Sequence, residues 1–303
     1  MRYQFYTADV FTNRQFGGNP LAVLTDARGL SSETMQQIAR EFNLSETVFV
    51  LPPDNPAHTR RLRIFTPGAE LPFAGHPTVG TAIILAQIDA LDLRANPTRI
   101  VFEEGVGPVP VTIQLEAGRP TAAQLTAARL PSAGAPPPPA ADLAAMLGLE
   151  VSDIRQDAYA PEAVSSGGTP FTIIPLTSRN ALARAKLRLD LWERLLANSW
   201  APAVYPICFD PELPGSDLRV RMFGPAIGIA EDPATGAAAT ALGGYLAARA
   251  AQRDGTLAWV VEQGFEMGRP SILNVEADKA SGELTAVRVG GQAVLVSEGW
   301  ITA

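Results

Sequence analysis

Few residues in this 303-residue chain are equipped for chemistry. There are two histidines, His58 and His76, one cysteine, Cys208, and two lysines, Lys186 and Lys279. Schiff-base chemistry therefore has two candidates, both in polar surroundings. A lone cysteine makes no internal disulfide, and one Cys with two His gives no zinc-type cluster. Glu46 stands out, in Asn43-Leu44-Ser45-Glu46-Thr47-Val48-Phe49-Val50, with apolar neighbours and no local charged partner. A carboxyl group in an apolar cleft has its pKa raised toward working pH and can act as both acid and base; a solvated loop glutamate is the alternative. His76, in Phe73-Ala74-Gly75-His76-Pro77, reads as a proton-transfer group or as a helix-cap or core histidine. Asp232, in Glu231-Asp232-Pro233-Ala234-Thr235-Gly236, reads as a functional carboxylate or as a helix N-cap. Cys208 sits in an apolar strand-like run and reads as a buried structural thiol, Glu103-Glu104 as a solvated hairpin edge, and His58 as an exposed loop residue.

The elements that must position these groups follow from pattern. The chain is 47% hydrophobic and 18% charged, ordinary globular values that exclude disordered and fibrous classes. A net charge of -7 argues against a nucleic-acid partner. No stretch has the length of a signal peptide's apolar core or a membrane span, so a cytoplasmic protein is expected. Hydrophobic cores stop growing near about 250–300 residues, which predicts two domains. Four consecutive prolines, Pro136 to Pro139, read as an extended linker over residues 133–139. The expected domains are residues 1–132 and 140–287, with a last strand, 288–303, packing back onto the first. Helices are expected at 32–42, 78–87, 142–149 (with Asp142 as cap), 182–196 and 235–251. About twice as many strands are expected, including a hairpin over 98–115. Strands joined mostly by short turns give an α+β fold with mixed or antiparallel sheets rather than a doubly wound one.

The two halves repeat each other. Arg63-Ile64-Phe65-Thr66-Pro67 precedes His76-Pro77-Thr78-Val79-Gly80, and Arg221-Met222-Phe223-Gly224-Pro225 precedes Asp232-Pro233-Ala234-Thr235-Gly236, at offsets of 158 and 156. Gly17-Gly18-Asn19-Pro20-Leu21 matches Gly167-Gly168-Thr169-Pro170-Phe171 at an offset of 150. Convergent turn chemistry is the bland account, and an internal duplication the better one. In this reading each proline opens a helix, with His76 and Asp232 as caps. The helices that follow are apolar nearly all round and so belong inside a domain. Their unobstructed starts suit a carboxylate, which predicts a small anion held in a cleft where the two halves meet.

Several segments together resemble the PhzF family of phenazine-biosynthesis isomerases: DVFTNRQFGGNPLAV, IAREFNLSETVFV, RIFTPGAELPFAGHPTVGTAI, RMFGPAIGIAEDPATGAA and GFEMGRPS. The resemblance implies a diaminopimelate-epimerase-like fold, with two pseudo-symmetric domains each wrapping a sheet around a central helix. It implies isomerisation of a small carboxylated substrate of the trans-2,3-dihydro-3-hydroxyanthranilate type, with no metal or organic cofactor. Glu46 matches the family's acid/base glutamate, and His76 and Asp232 its substrate-binding and relay partners. Gly75 and Gly236 match positions whose backbone N–H groups line the site. Ala237 stands where the family has a serine, so a hydroxyl contact is lost while the backbone N–H remains. A two-cysteine epimerase is excluded, since neither motif start carries a cysteine. A homodimer follows from the resemblance alone. Two alternatives stay open: an enzyme of the same fold acting on another amino or hydroxy acid, and a non-catalytic small-anion-binding protein.

Overall fold

The computed structural model describes residues 1–93, 95–166 and 168–303. The proposed match at Gly167 therefore lies outside the described residues. The chain forms two compact units, Met1–Ala128 with Val289–Ala303, and Arg129–Arg288. The four prolines lie inside the second unit.

The first unit runs β1 (Arg2–Val10), β2 (Asn19–Leu24), α1 (Ser32–Phe42), β3 (Glu46–Leu51), β4 (Arg60–Phe65), β5 (Glu70–Leu71), α2 (Gly75–Gln87), β6 (Thr98–Glu104), β7 (Gly107–Glu116) and β8 (Arg119–Thr126). The second runs β9 (Ser132–Ala133), α3 (Ala140–Leu147), β10 (Glu162–Ser166), β11 (Thr169–Leu176), α4 (Arg179–Arg184), α5 (Leu189–Leu195), β12 (Ala203–Cys208), β13 (Leu218–Val220), β14 (Met222–Gly224), β15 (Ile229–Asp232), α6 (Gly236–Arg249), β16 (Gly255–Gln263) and β17 (Ser271–Ala280). Then come β18 (Glu283–Gly291) and β19 (Ala293–Thr302), and β19 pairs antiparallel with β1 from Arg2↔Thr302 to Val10↔Ala293.

The duplication is visible in the strand pairing of each unit. Pairs β1–β2, β3–β4 and β6–β7 are antiparallel, whereas β2–β3 and β4–β6 are parallel. In the second unit β10–β11, β12–β13 and β16–β17 are antiparallel, and β11–β12 and β13–β16 parallel. Each parallel pair needs a crossover. Helix α1 lies between β2 and β3, as α4 and α5 lie between β11 and β12; α2 lies between β4 and β6, as α6 lies between β13 and β16. The class is α+β, with a curled mixed sheet around a central helix in each unit.

The central helices explain the curl. Every residue of α2 from Gly75 to Ala86 is buried, and the helix touches β1, β2, β3, β7, β8 and β19. A helix apolar on all sides must be covered on all sides. Gly80 permits the closest approach, because a Cβ there would come within 2.6 Å of Leu21 Cδ2 and Val10 Cγ2. Most of α6 is likewise buried, against β10, β11 and β17. The outer helices add satellite cores. Met35, Ile38 and Ala39 of α1 pack with Leu24, Phe49 and Phe65. Leu143, Met146 and Leu147 of α3 pack with Leu182, Trp192 and Leu196.

Local boundaries differ from the pattern in instructive places. Helix α2 starts at Gly75 with Ala74 as cap, so His76 lies inside the first turn rather than capping it. Pro77 is then the third helical residue, still among the first four whose N–H groups have no intrahelical partner. Helix α6 starts at Gly236 with Thr235 as cap, leaving Asp232 at the end of β15 and Pro233 outside the helix. Asp142 sits in the first turn of α3, whose cap is Pro139. The helix expected over 182–196 is two. Arg221 Nη1 donates to the carbonyls of Leu182 and Ala185 at 3.0 and 2.7 Å, and Lys186 and Arg188 donate their backbone N–H to Leu147 and Met146.

Candidate active site

In the first unit the chain brings Asn19, Glu46 and His76 together. Helix α1 ends at Asn43 in the left-handed region (φ 50), and three residues later Glu46 opens β3, paired with Leu21 of β2. That turn puts the glutamate at the mouth of a parallel strand pair, 7% exposed. Its Oε2 lies 3.3 Å from His76 Nε2, and His76 is 3% exposed. On the other side of the ring, Asn19 Nδ2 lies 3.2 Å from Nδ1. Burial pushes the His76 imidazole down to about 3, partly offset by the Pro20 carbonyl, so the ring is neutral at ordinary pH. The other ring nitrogen, Nε2, faces the Glu46 carboxyl. Gly75 precedes His76 as the first residue of α2, and no acidic side chain occupies the helix's first turn.

The second unit gathers Asp232, Thr235, Gly236, Ala237 and Gln263. Asp232 is 5% exposed and accepts at Oδ2 from the Thr235 hydroxyl at 2.6 Å. Its backbone carbonyl accepts from Gln263 Nε2 at 2.8 Å. Gly236 and Ala237 open α6, which has no side-chain cap and no acidic residue in its first turn. Tyr205 on β12 is fully buried; burial first, and the negative charge of Asp232 second, hold its hydroxyl far above the usual phenol range.

Other expectations need correction. Glu104 is not a solvated edge: it is 8% exposed, and burial pushes its carboxyl up to about 8. Its Oε1 lies 2.6 Å from Thr78 Oγ1, which also lies 2.8 Å from the Ala74 carbonyl. The Thr78 hydroxyl has one hydrogen and two acceptors within reach, the Ala74 carbonyl and the Glu104 carboxyl, which lies beneath the start of α2. Glu103 is clamped, accepting from the backbone of Asp54 and Asn55 and contacting His58 Nδ1 at 2.8 Å, so His58 is a half-buried latch. Cys208 is buried, with its thiol pushed up to about 11, as a structural thiol should be. Lys279 Nζ donates to the Ala247 carbonyl in the last turn of α6 and to that of its C-cap, Ala250. Asn19, Thr235, Gln263 and Glu104 were missed as site residues. Asn19 and Thr235 lie inside conspicuous Gly/Pro motifs, whereas Gln263 and Glu104 carry no local signal.

Among the described residues no group of three or more His, Cys, Asp or Glu side chains is arranged to hold a metal ion. No helix among them is long and apolar enough to cross a membrane.

The same architecture occurs in a hydroxyproline epimerase from Agrobacterium vitis, matched with a TM-score of 0.66 at 12% identity over 99% of this chain and 92% of that one. The fold is that of the diaminopimelate-epimerase-like isomerases. A PhzF-family phenazine biosynthesis protein from Bacillus anthracis matches over the full length of both chains with a TM-score of 0.89 and 28% identity. The family model described as phenazine biosynthesis-like protein matches residues 8–299, and the chain belongs to that family. It is 42% identical over 294 residues to an uncharacterized isomerase of Mesorhizobium japonicum, covering 96% of each chain. It is 36% identical over 297 residues to the trans-2,3-dihydro-3-hydroxyanthranilate isomerase of Pseudomonas aeruginosa, covering 98% of each. The protein is an isomerase of the PhzF family.

Proposed function

We propose that this isomerase shifts a proton within trans-2,3-dihydro-3-hydroxyanthranilate or a close carboxylated relative, with Glu46 as the single acid/base group and no cofactor. A C–H bond breaks at one ring carbon, its electron pair moves into the conjugated system, and the double bonds shift. The carbon at the far end takes a proton back from Glu46. The composition of the molecule is unchanged, so no oxidant, reductant or second substrate enters. The observation that carries this reading is the buried Glu46 Oε2 to His76 Nε2 contact at 3.3 Å. A neutral imidazole sets no full positive charge beside the Glu46 carboxyl. General acid–base catalysis of this kind contributes about 10²–10⁴-fold, and orientation supplies much of the rest. Asp232 is the substrate-binding and relay group in this reading. Backbone N–H groups at Gly75, Gly236 and Ala237 hold the substrate's polar groups.

Ala237 favours a second reading, in which the natural substrate is another amino or hydroxy acid handled by the same residues, since a methyl group replaces the hydroxyl there. Turnover of the dihydro-hydroxyanthranilate in D₂O separates the two. The proposal expects product carrying solvent deuterium and a Glu46→Gln variant slowed at least about 10³-fold. Undiminished turnover in that variant would overturn it; activity only on other acids in a panel would select the second reading. A non-catalytic anion-binding protein predicts instead that ligand binding survives Glu46→Gln with no turnover in either form. We further propose a homodimer, to be read by sedimentation, and the cytoplasm as the compartment.

A further inference from the structure

Several hydrogen bonds around Asp232 interlock. Gln263 is fully buried at the end of β16, where it pairs with Ser271. Its Oε1 accepts the backbone N–H of Thr235 at 3.2 Å. Its Nε2 donates to the Asp232 carbonyl at 2.8 Å and to Thr235 Oγ1 at 2.9 Å. The carbonyl can only accept and the Thr235 N–H can only donate, so the amide has one workable orientation. Because the Thr235 hydroxyl accepts from Gln263, its own hydrogen goes elsewhere, and Asp232 Oδ2 is 2.6 Å away. A distance of that size is typical of a hydroxyl donating to an ionised carboxylate.

We infer that Gln263 and Thr235 are a positioning pair for the isomerisation: the amide sets the direction of the Thr235 hydroxyl, which in turn commits Oδ2 of Asp232 as an acceptor and fixes the carboxylate's plane. This rests on the role proposed above for Asp232. The surroundings are rigid enough to hold the arrangement. Ser271 Oγ donates to the Pro233 carbonyl at 2.8 Å. Gly264 has φ +78, and a Cβ there would lie 2.4 Å from the Arg269 carbonyl oxygen and 2.5 Å from that of Pro233. Tyr205 faces Asp232 from β12 as a neutral phenol. The neighbouring Glu231 is engaged by Arg221 through both oxygens at 2.7 and 2.8 Å, so it does not compete for the Thr235 hydroxyl.

The test compares Thr235→Val with Thr235→Ser, alongside Asp232→Asn and Gln263→Glu, on trans-2,3-dihydro-3-hydroxyanthranilate. Thr235→Val removes the hydroxyl at constant shape and should lower kcat about 10–100-fold while KM stays within about 3-fold. Thr235→Ser restores the hydroxyl and should restore kcat to within about 3-fold of the parent. Gln263→Glu replaces the donor by an acceptor, turns the Thr235 hydroxyl away from Asp232, and should match the valine variant. If Asp232→Asn abolishes turnover while Thr235→Val keeps kcat, the pair positions nothing and the inference falls. If Asp232→Asn keeps full turnover, the role of Asp232 itself is wrong. Crystal structures of the Thr235 variants decide the geometry without any substrate. The carboxylate should be turned in the valine variant and unmoved in the serine variant; an unmoved carboxylate in both would overturn the inference. Thr235→Ala serves the same comparison if the valine variant does not fold.

Discussion

Replacing Glu104 by glutamine should make the protein more stable at alkaline pH, by an amount the structure bounds. The parent carboxyl is buried against the Thr78 hydroxyl, and burial holds its pKa at about 8 instead of 4.5. Between those values the folded protein holds a proton that the unfolded chain releases. Stability therefore falls as pH rises through the window and levels off above it. At about 1.4 kcal/mol per pH unit, the full window is worth about 5 kcal/mol. This is a large share of a typical total of about 5–15 kcal/mol. Glutamine cannot ionise, and its amide oxygen can accept from the Thr78 hydroxyl as the carboxyl does. The variant should lack this slope. Urea unfolding of both proteins at pH 5 and pH 8.5 reads it directly, since every other titrating group cancels in the comparison. The gap should widen in favour of Glu104→Gln by several kcal/mol. A gap that stays constant to within about 1 kcal/mol would show that Glu104 is not held as a neutral acid.

The same bookkeeping runs the other way for His76: its imidazole, pushed down to about 3 from 6.5, should keep ¹⁵N shifts of a neutral ring at pH 5, and a protonated ring at that pH would refute the assignment. Its contribution to stability is lost as pH falls below 6.5 toward about 3, opposite in sense to Glu104. Gly80→Ala drives a methyl to 2.6 Å from Leu21 and Val10 and should cost about 1–3 kcal/mol by urea unfolding, despite alanine's better helix propensity; equal stability would show that β1 and β2 can give way. Arg219, 6% exposed, bridges Glu212 at 2.6 Å and Glu266 at 2.9 Å, so Arg219→Met should cost about 3–5 kcal/mol, and a cost under about 1 kcal/mol would mean that water solvates those carboxylates.

What could be read from the residues alone was whatever is decided locally. Helix α1 has the Ser31 hydroxyl oxygen accepting from the Thr34 N–H, one apolar face and a left-handed Asn43 at its end, all signals within about a dozen residues. The starts of α2 and α6 were misplaced because His-Pro and Asp-Pro look like cap and first residue. In the second unit that local preference yields to Gln263, which takes the Thr235 N–H from 28 residues away. The break between α4 and α5 depends on Arg221, whose guanidinium reaches carbonyls 39 and 36 residues earlier. The site divides along the same line. Glu46, His76 and Asp232 stood out through their motifs, whereas the burial of Glu104 depends on Thr78, 26 residues before it, and nothing near Glu104 announces that contact.

The pairing of β1 with β19 has a consequence for how the molecule is made. Strand β1 is synthesised well before the neighbour that covers its edge, which arrives only after the whole second unit. A chain cut short before residue 293 has every strand of the second unit but leaves the first with one backbone edge unsatisfied and open to the wrong strand. Once released from the ribosome, such a chain should hold a first unit more vulnerable to proteolysis than the second, although the first is the older of the two.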